Sequence, residues 1–83
     1  MKHLEYKTFG TCSQKILIDV DDDHRISNVE FIGGCNGNTK GIASLVKGMK
    51  TSEVKERLKG ILCGSKPTSC PDQLARALEE MGE

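Results

Sequence analysis

Eighty-three residues suffice for one compact domain and are too few for two. Twelve Lys plus Arg balance twelve Asp plus Glu, and no basic run is interleaved with aromatics, which excludes the usual footprint of direct nucleic-acid binding. No stretch approaches a membrane span of about 20 apolar residues.

The start, Met1-Lys2-His3-Leu4-Glu5-Tyr6-Lys7, has neither an apolar h-region nor a small-residue cleavage site, so a cytoplasmic address is expected. The core should be thin, because a chain this short buries only about 60% of its unfolded surface. Only three aromatic residues, Tyr6, Phe9 and Phe31, are present to fill it. Small scaffolds recruit disulfides, a structural metal or oligomerisation to make up the deficit. The chain carries four cysteines, and in a reducing compartment cysteine clusters more often bind metal or do redox work than form structural disulfides.

Residues 3 to 9 read as a short strand, and Lys15-Ile16-Leu17-Ile18-Asp19-Val20 as a more apolar one rich in β-branched residues. Asp21-Asp22-Asp23-His24 reads as a turn, and 26 to 32 as a third strand carrying Val29 and Phe31 at strand spacing. Together they suggest an antiparallel meander with one face reserved for a covering layer. After Gly33-Gly34-Cys35-Asn36-Gly37-Asn38, the residues Ile42, Leu45, Val46 and Met49 form one stripe of a helix capped near Asn38. A second helix is expected from Thr51 or Ser52, carrying Val54, Leu58, Ile61 and Leu62, with Gly60 and Gly64 bracketing its end. The third should begin at Ser69-Cys70-Pro71-Asp72, where Ser69 can cap, Pro71 fits the first turn and Asp72 completes a partial capping box. Leu74, Leu78 and Met81 are its buried stripe. Three strands followed by three helices make an α+β domain spanning residues 1 to 83, a three-stranded antiparallel meander covered by three helices.

Cys12 then lies before the second strand, Cys35 after the third, Cys63 at the end of the second helix and Cys70 at the start of the third. All four occupy element ends, where ligands can be aimed at one point by the rigid elements that carry them. Their spacings of 23, 28 and 7 residues do not match the Cys-x2-Cys knuckles of zinc fingers, so a shared site would have to be assembled by tertiary folding. Cys70 opens a helix and Cys35 sits in a glycine-rich turn ahead of one. Backbone N–H groups at such positions favour the thiolate, which is the form that binds metal or attacks. Thiolates gathered around Zn²⁺ leave excess negative charge, which those donors and cations such as Lys40 or Lys66 could offset. The bland reading, in which cysteines are small buried hydrophobes, fits poorly with positions beside glycine, proline and polar residues and off the apolar stripes.

Two other features are set aside. Gly34 to Gly41 departs from a phosphate loop, because Gly41 follows Lys40 where Ser or Thr is required and Gly37 does not precede the lysine. Asp21-Asp22-Asp23-His24 is what a solvated turn demands, and His3, near a terminus, gets no functional reading.

Thr68-Ser69-Cys70-Pro71-Asp72, with Gly33-Gly34-Cys35-Asn36-Gly37-Asn38, Cys12 and Cys63, resembles the TSCPD-domain family over essentially the whole chain. Members of that family occur as small proteins and as C-terminal extensions of adenosylcobalamin-dependent ribonucleotide reductases. The resemblance therefore implies an accessory to ribonucleotide reduction and DNA synthesis, with a ribonucleotide reductase or a redox protein as partner. Eighty-three residues leave no room for a corrinoid site and a radical barrel, so a reductase label here means a component, not complete catalysis. The order Cys12 to Val20, Val29 to Phe31, Gly34-Cys35, Ile42-Ala43-Ser44 and Cys70 before a helix is also similar to the iron-sulfur cluster assembly scaffold proteins. That likeness implies ligand roles for Cys12, Cys35 and Cys70, with Cys63 an addition, and it departs from the scaffold pattern at Ser13 and Gln14, where the scaffold has an aspartate.

Three functions are thus in view: a Zn or Fe-S module held by Cys12, Cys35, Cys63 and Cys70; a dithiol relay using Cys63 and Cys70; and a cluster scaffold, which would need an exchangeable site.

Overall fold

Ile16, Ile18 and Val20 alternate with Lys15, Leu17 and Asp19, the period-two pattern of a strand with one buried face. In the computed structural model, which describes residues 1–8, 13–33, 36–62 and 68–83, this segment is β2 (Ser13–Val20). It is the central strand between β1 (Lys2–Lys7) and β3 (Ile26–Gly33). Both pairings are antiparallel: Leu4 and Tyr6 face Ile18 and Ile16 on one side, and Val29 and Phe31 face the same two residues on the other. The expected meander is present. Its first strand is set at Lys2–Lys7 rather than 3 to 9, and Phe9 falls outside the described residues.

In β3 the buried residues are Ile26 and Val29. Three positions apart, they would point to opposite faces of a regular strand. A bulge reconciles them: Asp19 pairs with Asn28 and Val20 with Ile26, leaving Ser27 as the extra residue. Ser27 Oγ donates to the Asp19 carbonyl at 3.1 Å, which ties the bulge to β2.

The helices α1 (Asn36–Val46), α2 (Thr51–Leu58) and α3 (Cys70–Glu80) follow in chain order. Their apolar faces join β2 and β3 in one cluster that includes Val46, Val54, Leu74, Ala77 and Leu78, with Leu4, Tyr6, Phe31 and Ile42 packed at its margin. Helices cover one face of the sheet, and the residues of the other, such as Glu5, Lys7, Asn28 and Glu30, are exposed.

The helix readings need three corrections. First, α1 starts at Asn36, not near Asn38, and its inward residues are Thr39, Ile42, Ala43 and Val46. Leu45 is 74% exposed, because a helix has room for one inward stripe and packing selected the one that begins at Thr39. Met49 reaches the core from the turn beyond the helix. Second, α2 stops at Leu58, so Ile61 and Leu62 are exposed and outside it. Gly60 adopts φ +85 just past the helix, the left-handed position where glycine carries no Cβ penalty, and Cys63, expected at the end of this helix, lies outside the described residues. Third, Met81 is the C-cap of α3 and only partly buried, whereas Leu74 and Leu78 are fully buried as expected. Among the described residues no helix is long and apolar enough to cross a membrane.

Candidate functional site

The elements give the domain two poles. At one, the β2–β3 turn meets the turn after α1: Ile26 N–H donates to the Met49 carbonyl at 2.9 Å, and Gly48 N–H to the Ile26 carbonyl at 2.8 Å. Thr51 at the start of α2 and Glu83 beyond the end of α3 meet there too, the hydroxyl donating to the carboxylate at 2.9 Å. Lys2 Nζ reaches the same carboxylate at 2.7 Å. From this pole α1 lies back along β3 and α2 is antiparallel to α3. Tyr6 lies within electrostatic reach of the charged residues of α3. Burial first pushes the Tyr6 hydroxyl above its usual range, and the Glu80 and Asp72 carboxylates add to this against Arg76.

The opposite pole holds the end of β1, the start of β2, the end of β3, the beginnings of α1 and α3 and the chain leaving α2. Ser13 pairs directly with Gly33, and Thr8 N–H donates to the Gln14 carbonyl at 3.1 Å, closing the β1–β2 connection. Gly33 turns the chain off β3 with φ +80, and a Cβ there would come within 3.3 Å of Gln14 Cγ. Both conditions favour glycine.

At this pole Thr68-Ser69-Cys70-Pro71-Asp72 forms a buried polar clamp. Ser69 has extended backbone and caps α3, its Oγ accepting Asp72 N–H at 3.2 Å, while the same hydroxyl donates to the Ile61 carbonyl at 2.5 Å. Cys70 is the first helical residue and half-buried, and Pro71 follows in the first turn, where its missing N–H costs nothing. The Asp72 carboxylate is 2% exposed. It accepts from Gly60 N–H at 2.7 Å, the Thr68 hydroxyl at 2.5 Å and Arg76 Nε at 2.9 Å. Burial alone would raise its pKa, but the hydrogen bonds from Thr68, Gly60 and Arg76 together prevail and hold it below the usual range. Gln73, fully buried, donates to Thr68 Oγ1 at 2.9 Å.

Residues 2–82 match the family profile of the TSCPD domain. The chain belongs to the TSCPD-domain family. Comparisons with curated proteins and with solved structures give no match. In this TSCPD chain the threonine, serine and aspartate of the signature thus have visible work: the first and third bind each other, and the second caps the helix and holds the chain leaving α2.

Of the four cysteines expected to form a site, Cys70 stands at this pole, and Cys12, Cys35 and Cys63 lie outside the described residues. Ser13 follows Cys12 and pairs with Gly33, which with Asn36 brackets the stretch holding Cys35, while Leu62 and Thr68 bracket the stretch with Cys63, beside the Ser69–Ile61 hydrogen bond. Among the described residues no group of three or more His, Cys, Asp and Glu could hold a metal ion. Two helix N-termini face this end. That of α1 has no acidic residue in its first turn, and that of α3 has only Asp72, already engaged by three donors.

Lys40 is exposed on α1, and Lys66 is outside the described residues. Reading the sequence for caps found Ser69 but missed the clamp centred on Asp72. A signal was available in the spacing of Asp72 and Arg76, an i, i+4 acceptor and donor in the helix, with the Thr68 hydroxyl just ahead of its N-cap.

Proposed function

We propose that the chain is a four-cysteine metal-binding module in which Cys12, Cys35, Cys63 and Cys70 ligate Zn²⁺ or an Fe-S cluster. The observation that supports this reading is that the described residues flanking Cys12 and Cys35 meet at one end of the sheet, where Ser13 pairs with Gly33, and that Cys70 and the chain leaving α2 toward Cys63 are tied through the Ser69–Ile61 hydrogen bond. Cysteines that were only small hydrophobes would be expected along the inward stripes, which here are filled by Ile, Val, Leu and Ala. The donor set fits the group: four sulfur ligands suit tetrahedral zinc or iron-sulfur chemistry, and a closed four-thiolate shell makes zinc structural rather than catalytic. Residues Ser13, Gly33, Asn36, Leu62 and Thr68 would position the ligand-bearing segments. Service as an accessory to a ribonucleotide reductase rests on the family resemblance, and the module would then dock with or act on that enzyme or a redox protein.

The test is to purify the full chain anaerobically, quantify zinc, iron and sulfide per chain, and titrate reactive thiols with and without a chelator. About one zinc per chain, with thiols that react only after chelation, is the expected result. Iron with acid-labile sulfide that passes to an acceptor protein supports cluster scaffolding. An absence of metal together with a titratable Cys63 and Cys70 pair supports a thiol relay. Single Cys→Ser replacements at the four positions then identify the ligands, and unchanged metal content in all four variants would rule the site out.

A further inference from the structure

The sheet has two edges, β1 and β3, and treats them differently. Along β3 the pairing is broken by the bulge at Ser27, and α1 packs against the strand. Bulges and covering elements are usual means of closing an edge to further strands. On the other edge, β1 pairs with β2 through all six of its residues in one unbroken register and contains no proline. The helices lie chiefly over β2 and β3, so Leu4 and Tyr6, on the inward face of β1, are only partly buried at the margin of the core.

The ladder fixes where the backbone groups of β1 point. Opposed residues in an antiparallel pair alternate between those that exchange hydrogen bonds and those that do not. Thr8 N–H donates to the Gln14 carbonyl and continues the β1–β2 register, so Leu4 and Tyr6, two and four positions back, turn their N–H and C=O groups to β2. His3, Glu5 and Lys7 turn theirs to the open edge. On the exposed outer face His3 Nδ1 meets Asp19 at 2.6 Å, and Glu5 accepts from Lys15 Nζ at 2.8 Å.

We propose that β1 is a pairing edge for a second copy of this chain, antiparallel about a two-fold axis that passes between the two Leu4 residues. A two-fold interface is self-complementary, so every contact occurs twice. Each His3 lies opposite Glu5 of the second copy, and the two exchange their outward backbone hydrogen bonds. Leu4 meets Leu4 on the inward face, and the two three-stranded sheets become one, with the helices of both copies on the same side. Charges then alternate across the outer face: Asp19, His3, and Glu5 of the second copy with its Lys15. A register displaced by two residues sets Glu5 against Glu5 and His3 against Lys7, and like charges directly opposite are destabilising. Displacement by one residue sets His3 against a residue whose backbone groups already bond to β2. The interface is one strand wide, so the dimer is weak and depends on concentration.

The test measures the mass of the 9.1 kDa chain by sedimentation velocity and light scattering, with reductant and chelator present so that neither disulfides nor metal can join copies. In buffer near pH 6, where imidazole carries charge, wild type should pass from monomer to a species of twice the mass as its concentration rises to about 1 mM, the weak end of specific association. Glu5→Pro removes an outward N–H without touching the β1–β2 ladder, and should stay monomeric with the circular dichroism of wild type. Glu5→Lys and His3→Glu should each be monomeric alone, because both contacts across the axis then repel. Mixed in equal amounts they should form a dimer, because the mixed pair restores opposite charges at both contacts. Should Glu5→Pro not fold, the two charge variants decide alone. A wild-type monomer throughout the concentration range, a dimer that these variants leave unchanged, or a mixture that stays monomeric would overturn the proposal.

Discussion

Glu83 shows how a residue far from the cysteine pole can govern the whole chain. Its side chain is 1% exposed, and its carboxylate accepts from Lys2, His24 and Thr51 at 2.7, 2.9 and 2.9 Å. The Lys2 hydrogen bond is the main cause of a pKa brought down to about 2; burial opposes it, and His24 and Thr51 add to it. A carboxyl whose pKa is depressed on folding stabilises the fold above its ordinary value near 4.5, and that contribution is lost as pH falls from there toward about 2. Glu83→Gln should therefore cost on the order of 1–3 kcal/mol at neutral pH, and the difference from wild type should shrink on acidification. Urea unfolding of the two proteins at pH 7, 4 and 2.5 measures this, and a gap that does not depend on pH would contradict it.

Among elements, the helices show where periodicity decides and where packing does. In α3, Leu74 and Leu78 are buried as their spacing requires, but Asp72, Gln73, Ala75 and Ala77 are buried as well, so the helix is enclosed on most sides and not laid on the sheet by one stripe. In α1 the expected stripe is borne out at Ile42, Val46 and, beyond the helix end, Met49, which pack on the core, and fails at Leu45, which is exposed. Leu78→Ala should cost about 2–5 kcal/mol, whereas Leu45→Ala should change stability by no more than about 0.5 kcal/mol. Denaturant midpoints of the two variants settle the matter. A large loss at Leu45 would mean that α1 faces the sheet with a different side.

For the whole molecule, the question is what supplements so small a core. The fully buried aliphatic residues are few, and no described aromatic is fully buried. Structural zinc contributes on the order of 10 kcal/mol to small domains, so a metal at the cysteine pole would dominate the stability of the chain. The unfolding midpoint should then rise with zinc concentration, by about 2.7 kcal/mol in stability at 100 times the dissociation constant. Differential scanning calorimetry across a zinc series should show this in wild type and not in Cys70→Ser. A midpoint that ignores zinc in both would mean that the aliphatic core and the polar clamps suffice.

Much of the architecture was legible along the chain because it depends on local chemistry. Alternation in 16–20 specified a strand with one buried face, Asp21 to His24 a turn, and Ser69 with Pro71 a helix start; none of these needs distant partners. The signature Thr68 to Asp72, with the glycine turn and the cysteines, also placed the chain in its family. Other features were decided only by the fold. The Ser27 bulge is needed because Ile26 and Val29 must face one core, and Leu45 is left outside because the inward stripe of α1 runs through Thr39, Ile42, Ala43 and Val46. The Gly60 turn ends α2 early because its amide has a buried carboxylate to meet. The meeting of Ser13 with Gly33, and of the chain leaving α2 with the start of α3, belongs to this second group. Each joins residues apart in the polymer, and only the antiparallel return of strands and helices, with the area they bury between them, brings those ends together.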